Sequence, residues 1–243
     1  NQSIFCDQLG IEHYIRTDNI SKKRSYIKNY VSTWLKNPKL GMVPLFMVGD
    51  KMFYYYSKQL RKELNIDLSI WGRGQQEEQM EFKLGFCGID ERLNNHQDLF
   101  ELKNKTKILS FLYYGSNFLI NPNYLKHGLI DAIKCYLASF IDYGQQTLCL
   151  YNYIKWDGNY ISNLLENEYG WQKDGEYGHN QWRMGDGQTI FNNYIYYNFA
   201  GFSEFDNFRS NQIREGYLNR DEALKLAKID NEPKYLVLEN FFK

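Results

Sequence analysis

Apolar positions fall into two rhythms along the chain. Residues 11–17 (IEHYIRT) alternate over a short β-branched and aromatic run and predict a strand. From Ser21 to Leu35, Tyr26, Ile27, Tyr30, Val31 and Trp34 recur at helical spacing. The basic triplet Lys22, Lys23 and Arg24 lies in that helix's first turn, the unfavourable end for the helix dipole, so an anionic partner or a solvated turn is expected there. Phe53, Tyr56, Leu60 and Leu64 predict a second helix over 50–64, and Asp67 to Trp71 is an apolar run stopped by glycines, as in a buried strand. Helices between strands predict βα units and a parallel sheet over residues 1–102. Beyond Lys103 the pattern turns mostly helical, so 103–243 is expected as a second region. There Leu129, Ile130, Ile133, Leu137 and Phe140 share one stripe, and Asp157 suits a cap for the helix near 160–166. Asn219 with Glu222 forms a capping-box variant, and Phe191, Tyr194, Ile195, Phe199 and Phe202 predict a helix after Asp186.

Composition narrows the class. The chain has 243 residues, 43% hydrophobic and 17% aromatic, which is globular and too ring-rich for disorder. Twenty-nine basic residues balance 29 acidic ones, which argues against a dedicated nucleic-acid binder. No run of 18 apolar residues and no basic-then-apolar leader pattern occurs, so a soluble, cytoplasmic protein without membrane partners is expected. Cys6, Cys87, Cys135 and Cys149 form no C-x-x-C pair, and the four histidines form no ligand pair.

Two stretches hold candidate chemistry. In "IWGRGQQEEQMEFKLGFCG" Gly72 and Gly74 follow a strand end and free the backbone to approach a ligand. Arg73 and Lys83 suit phosphate oxygens, and Glu77 and Glu78 suit Mg²⁺; a solvated charged loop is the plainer alternative. In "WRMGDGQTIFNNYIYYNFAGFSEFDNFRSNQIREG" Asp186 lies between two glycines where a helix should begin. Arg183, Arg209 and Arg214 suit a bidentate grip on carboxylate or phosphate, and Asn192, Asn193, Asn211 and Gln212 offer donors and acceptors for hydroxyls. Against this stands a core of aromatics tied by arginine ion pairs.

That last stretch, with "LGIEHYIRT", "LGMVPLFMVGDK", "IDLSIWGRG" and "FKLGFCGI" before it in order, resembles the PP-loop adenosine-nucleotide α-hydrolases. The resemblance is to the N-acetyl sugar amidotransferases of surface-polysaccharide (lipopolysaccharide) biosynthesis. It implies an α/β fold with a Rossmann-like, HUP-type parallel sheet and an ATP-pyrophosphatase chemistry. Such a ligase uses ATP and Mg²⁺ to adenylate the amide of a nucleotide-linked N-acetyl amino sugar, and ammonia then gives an acetamidino sugar. Glutaminase and cyclase-like subunits would supply the ammonia, and a homodimer is compatible with the pattern. Carried over by position, Asp186 and Arg183 become catalytic candidates, and Arg209, Asn211 and Arg214 acceptor contacts. Gly72, Arg73, Gly74 and Lys83 face the nucleotide, with Glu77 and Glu78 at the metal; Arg73 departs from the family's usual W-G-E-N text. The family's S-G-G-x-D-S phosphate loop is missing, since no G-G dipeptide occurs. Truncation of a working enzyme, inactive alone, is the expected reason. A PP-loop tRNA-modifying enzyme and a non-catalytic sugar- or partner-binding subunit are the alternatives.

Overall fold

The structure, a computed structural model, describes residues 2–47, 52–72, 82–90, 104–126, 128–140, 146–171 and 187–243. In chain order its helices are α1 (Gln2–Leu9), α2 (Ile20–Trp34), α3 (Met52–Leu64), α4 (Phe82–Gly85), α5 (Asn104–Ile120) and α6 (Leu129–Phe140). They continue with α7 (Gly158–Tyr169), α8 (Gly187–Ala200), α9 (Glu204–Arg214), α10 (Arg220–Asp230) and α11 (Tyr235–Phe242). Strands β1 (Leu68–Trp71) and β2 (Gln146–Cys149) pair in parallel, Leu68 opposite Gln146 and Trp71 opposite Cys149. The chain divides into two compact units: 18–150, and 1–17 with 151–243.

In the unit of residues 18–150 the core gathers around α2 and a 3-10 segment, Leu40–Met47. Tyr30, Val31 and Trp34 of α2 are buried, as are Met42, Val43, Leu45 and Phe46 of the segment, and the Trp34 and Phe46 rings meet edge to face at 5.9 Å. Asn19 caps α2 by accepting from the Lys22 amide, as a short polar side chain does at a helix start. The Trp34 indole donates to the Lys39 carbonyl at 2.8 Å and holds the turn between helix and segment.

In the other unit, helix ends do most of the joining. Ser203 and Asp206 form a capping box at α9, and Asn219 and Glu222 one at α10. Asn231, just past α10, accepts from the Ser203 hydroxyl at 2.6 Å and donates to Asp206 at 2.8 Å, so the end of α10 is pinned to the start of α9. Gly187 opens α8 where a Cβ would come within 2.7 Å of Phe241, so only glycine admits the aromatic pack of Phe191 against Phe241 and Phe242. Asp157 caps α7, and Gly170, at φ 65°, ends it in the left-handed conformation.

These elements correct the expected fold class. Among the described residues the sheet has two strands of four residues each, and the rest is mostly helix; this is not a Rossmann-like, HUP-type parallel core. Residues 11–17 form no strand: Ile11, Tyr14 and Ile15 stay exposed, and an alternating run needs a neighbouring strand for its backbone and a core for one face. The apolar run 40–47 coils into 3-10 turns because Pro44 has no N–H for a ladder, and coiling lets consecutive side chains all find cover. Of the two runs expected as strands, 67–71 alone becomes one, and its Leu68 and Ile70 face outward. The resemblance to the PP-loop family is corrected with the fold. A two-stranded sheet offers no strand-order reversal, hence no crevice of the kind that binds nucleotides in open parallel sheets. The expected ATP-pyrophosphatase ligase and amidotransferase functions lose their structural basis, and the PP-loop tRNA-modifying alternative falls with them.

Candidate functional site

The second candidate stretch lies on α8 and α9. Arg183 and Asp186 fall outside the described residues. Arg209, on the inner side of α9, is buried: its Nε donates to Asp230 Oδ2 at 2.8 Å and its Nη1 to Gln212 Oε1 at 2.8 Å. The side chains are 9% and 2% exposed, so α9 and α10 share a desolvated ion pair. Arg214 donates to Asn211 Oδ1 at 2.6 Å, and Asn211 is itself buried. Asn193 is buried too, its Oδ1 accepting from the Glu204 amide at 2.9 Å and its amide donating to the Thr189 carbonyl and Glu204. The structure thus gathers Arg209, Asn211 and Arg214 on one helix, each with a partner from its own unit.

Beside this network is a shallow cleft walled by Ile190, Tyr194, Phe205 and Pro233, with Asn193 and Asp230 among its polar groups. Its empty volume, open mouth included, is about 270 Å³. Sites that engulf a small organic ligand run from about 300 to 1,000 Å³, so this recess does not have the depth to bury a nucleotide sugar.

The first candidate stretch is described only in part: Arg73, Gly74, Glu77 and Glu78 lie outside the described residues. Gly72 ends β1 in the open, with nothing within 4 Å of where a Cβ would stand. Lys83 sits half-buried in α4, where its carbonyl accepts from the Cys87 thiol at 3.6 Å. Burial pushes that thiol up to about 11, against a weaker opposing hydrogen bond from Tyr114, so it stays protonated near neutrality. Among the described residues no group of three or more His, Cys, Asp or Glu side chains is placed to hold a metal ion.

Of the misplaced basic triplet of α2, Lys23 finds its anionic partners inside the chain, and Lys22 and Arg24 stay exposed. Lys23 Nζ lies 2.8 Å from Asp18 and 2.9 Å from Asp131 of α6, and Tyr56 of α3 donates to Asp18 at 2.7 Å. Burial works to lower the Lys23 pKa, but its hydrogen bonds to the two carboxylates outweigh it and hold the ammonium above its ordinary value. Burial works to raise Asp18, yet the hydrogen bonds from Lys23 and Tyr56 hold it below its ordinary value. Burial first, then the Asp18 hydrogen bond, pushes the Tyr56 phenol up to about 12. This cluster ties three helices together.

The feature that sequence reasoning passed over is α5. Ile108, Phe111, Leu112 and Leu119 are 61%, 77%, 58% and 82% exposed, while Thr106, Ser110 and Asn117 are buried. At 3.6 residues per turn, positions 108, 111, 112, 115 and 119 fall within about 100° of arc, with 106, 110, 113 and 117 opposite. The inward face is polar and pinned to the 3-10 segment. Lys39 donates to Asn117 Oδ1 at 2.6 Å, Asn117 donates to the Tyr113 carbonyl at 2.8 Å, and a Cβ at Gly41 would come within 2.5 Å of the Tyr113 hydroxyl. Burial pushes the Tyr113 phenol up to about 12, as expected of a ring wedged against backbone. A soluble helix normally turns its apolar stripe inward; α5 is reversed. The spacing of Ile108, Phe111, Leu112 and Leu119 was visible in the sequence, but the direction of the stripe was not. On α6, Ile130, Ile133 and Leu137 of the expected core stripe are exposed as well, and buried Ala132 and Ala138 lie on the inner side.

Among the described residues no helix is long and apolar enough to cross a membrane. The chain matches no protein-family model, no curated protein and no solved structure.

Proposed function

We propose that this chain is a non-enzymatic protein-interaction module of the cytoplasm that docks a partner on the outward apolar face of α5. One observation carries the reading: a seventeen-residue helix buries Thr106, Ser110 and Asn117 while exposing Ile108, Phe111, Leu112 and Leu119. Burying each such leucine, isoleucine or phenylalanine is worth about 1.5–3 kcal/mol, a free energy forgone as long as the face meets water. Contiguous exposed apolar surface of this kind marks interaction sites. The exposed stripe on α6 adds to the same character, and the cleft beside α8 is smaller than sites that engulf a small organic ligand.

The test is charge on the face. Phe111→Lys combined with Leu119→Lys should leave the fold nearly as stable as before, within about 0.5 kcal/mol per site, because both side chains already point outward. Binding of a hydrophobic-surface dye by the purified protein should fall markedly. Loss of several kcal/mol in urea unfolding at high dilution, where no partner occupies the face, would mean that the stripe is core, and the reading would fail.

A further inference from the structure

We infer that the partner on α5 is a second copy of this chain, docked through antiparallel pairing of the two α5 helices; this rests on the interaction reading above. Three features of the face point to self-pairing. The first is charge. From Ile108 to Ile120 the helix carries no Lys, Arg, Asp or Glu, so two copies meet without like-charge repulsion and a charged partner finds nothing to match. The second is shape. Gly115 sits in the middle of the stripe, with nothing within 4 Å of where its Cβ would be, between Phe111 and Leu119, the two most exposed apolar side chains of the stripe. A ring beside a notch is self-complementary under a two-fold axis. With the axis at the level of residue 113, Phe111 of each copy lies over Gly115 of the other and Leu119 beside Ile108. The third is area. Ile108, Phe111, Leu112 and Leu119, each at least 58% exposed, present on the order of 500 Å². That is more than half of the roughly 800 Å² that each partner buries in an ordinary stable interface, and the rim of α5 can supply the remainder.

Glycine in a helix interior is otherwise a cost of about 0.8–1.0 kcal/mol against alanine, and packing inside the chain does not require it at 115. The notch therefore makes opposite-sign predictions. Gly115→Leu should raise the melting midpoint of the dilute chain, because the helix gains a better former in open space. The same substitution should weaken the dimer by about tenfold or more, because the notch is filled. Leu119→Lys should weaken it by about 30-fold, because it puts a charge where the most exposed apolar side chain of the stripe meets the other copy.

Sedimentation equilibrium of the full chain and both variants over a concentration series, with melting followed at high dilution, reads these effects. A photoreactive phenylalanine analogue at position 111, in a mixture of isotope-labelled and unlabelled copies, should cross-link to the neighbourhood of Gly115 in the other copy. A reversible dimer weakened by both substitutions supports the inference. A chain monomeric throughout, with folded Leu119→Lys, overturns self-pairing while leaving the outward face in place. A dimer that neither substitution moves, or a different protein held on the face in stoichiometric amount, overturns it too. Unfolding of both variants would sink the interaction reading itself.

Discussion

At Arg209, the guanidinium that sequence pattern offered as a ligand contact lies against Asp230 in a nearly dry setting. Breaking such a pair by deleting one member strands the other charge, which costs about 3–5 kcal/mol. Arg209→Ala is therefore expected to destabilise the unit of residues 1–17 and 151–243 by about that amount in denaturant unfolding, and Asp230→Ala by a similar amount. The double substitution to a well-packed apolar pair should recover much of the loss. A single variant that melts like the parent would mean the ion pair contributes little to the fold and would bring the arginine back as a ligand contact. Gly187 makes a related point: its place beside Asp186 drew attention as part of a loop motif, yet its lack of a side chain makes room for Phe241.

Between elements, the Lys23 cluster joins α2 to α6 and, through Asp18 and Tyr56, to α3. Its pH dependence follows from the directions of its shifts. Asp18 is held below its ordinary value, so its contribution is present above about pH 4 and is lost as pH falls through the lowered folded value. Lys23 is held above its ordinary value, so its contribution is complete below about pH 10 and is lost as pH rises through the raised folded value. Tyr56, pushed up to about 12, adds to the alkaline loss because the unfolded phenol ionises first. The groups around Lys23 are Asp18, Asp131 and the Tyr26 ring, with Tyr56 and Lys134 acting on Asp18. The melting midpoint against pH should thus show a neutral plateau with an acid and an alkaline shoulder, and Lys23→Met should lower the plateau and flatten both shoulders. Unchanged shoulders in that variant would place the titrating groups elsewhere.

Across the whole chain, the absence of a nucleotide-binding sheet among the described residues predicts no ATP–pyrophosphate exchange, with or without amino sugars, in an isotope-exchange assay. Measurable exchange would restore the adenylation chemistry. The amino-acid sequence alone determined the local features: helices close to 21–35, 50–64 and 128–141, the cap at Asp157, the capping box at Asn219 and the short strand ending at Trp71. Each depends on contacts within a few residues, where spacing and side-chain chemistry suffice. Three things were decided only by the tertiary structure. One is whether a strand-like run finds a neighbour: residues 11–17 did not, and 67–71 did. Another is which charges meet, since Lys23 with Asp131 and Arg209 with Asp230 are joined across different helices. The last is which way an apolar stripe faces. Periodicity defines a stripe on α5, but the ties of Asn117 to Lys39 and of Tyr113 to Gly41 turn the polar side inward, and those are long-range contacts that local spacing does not encode.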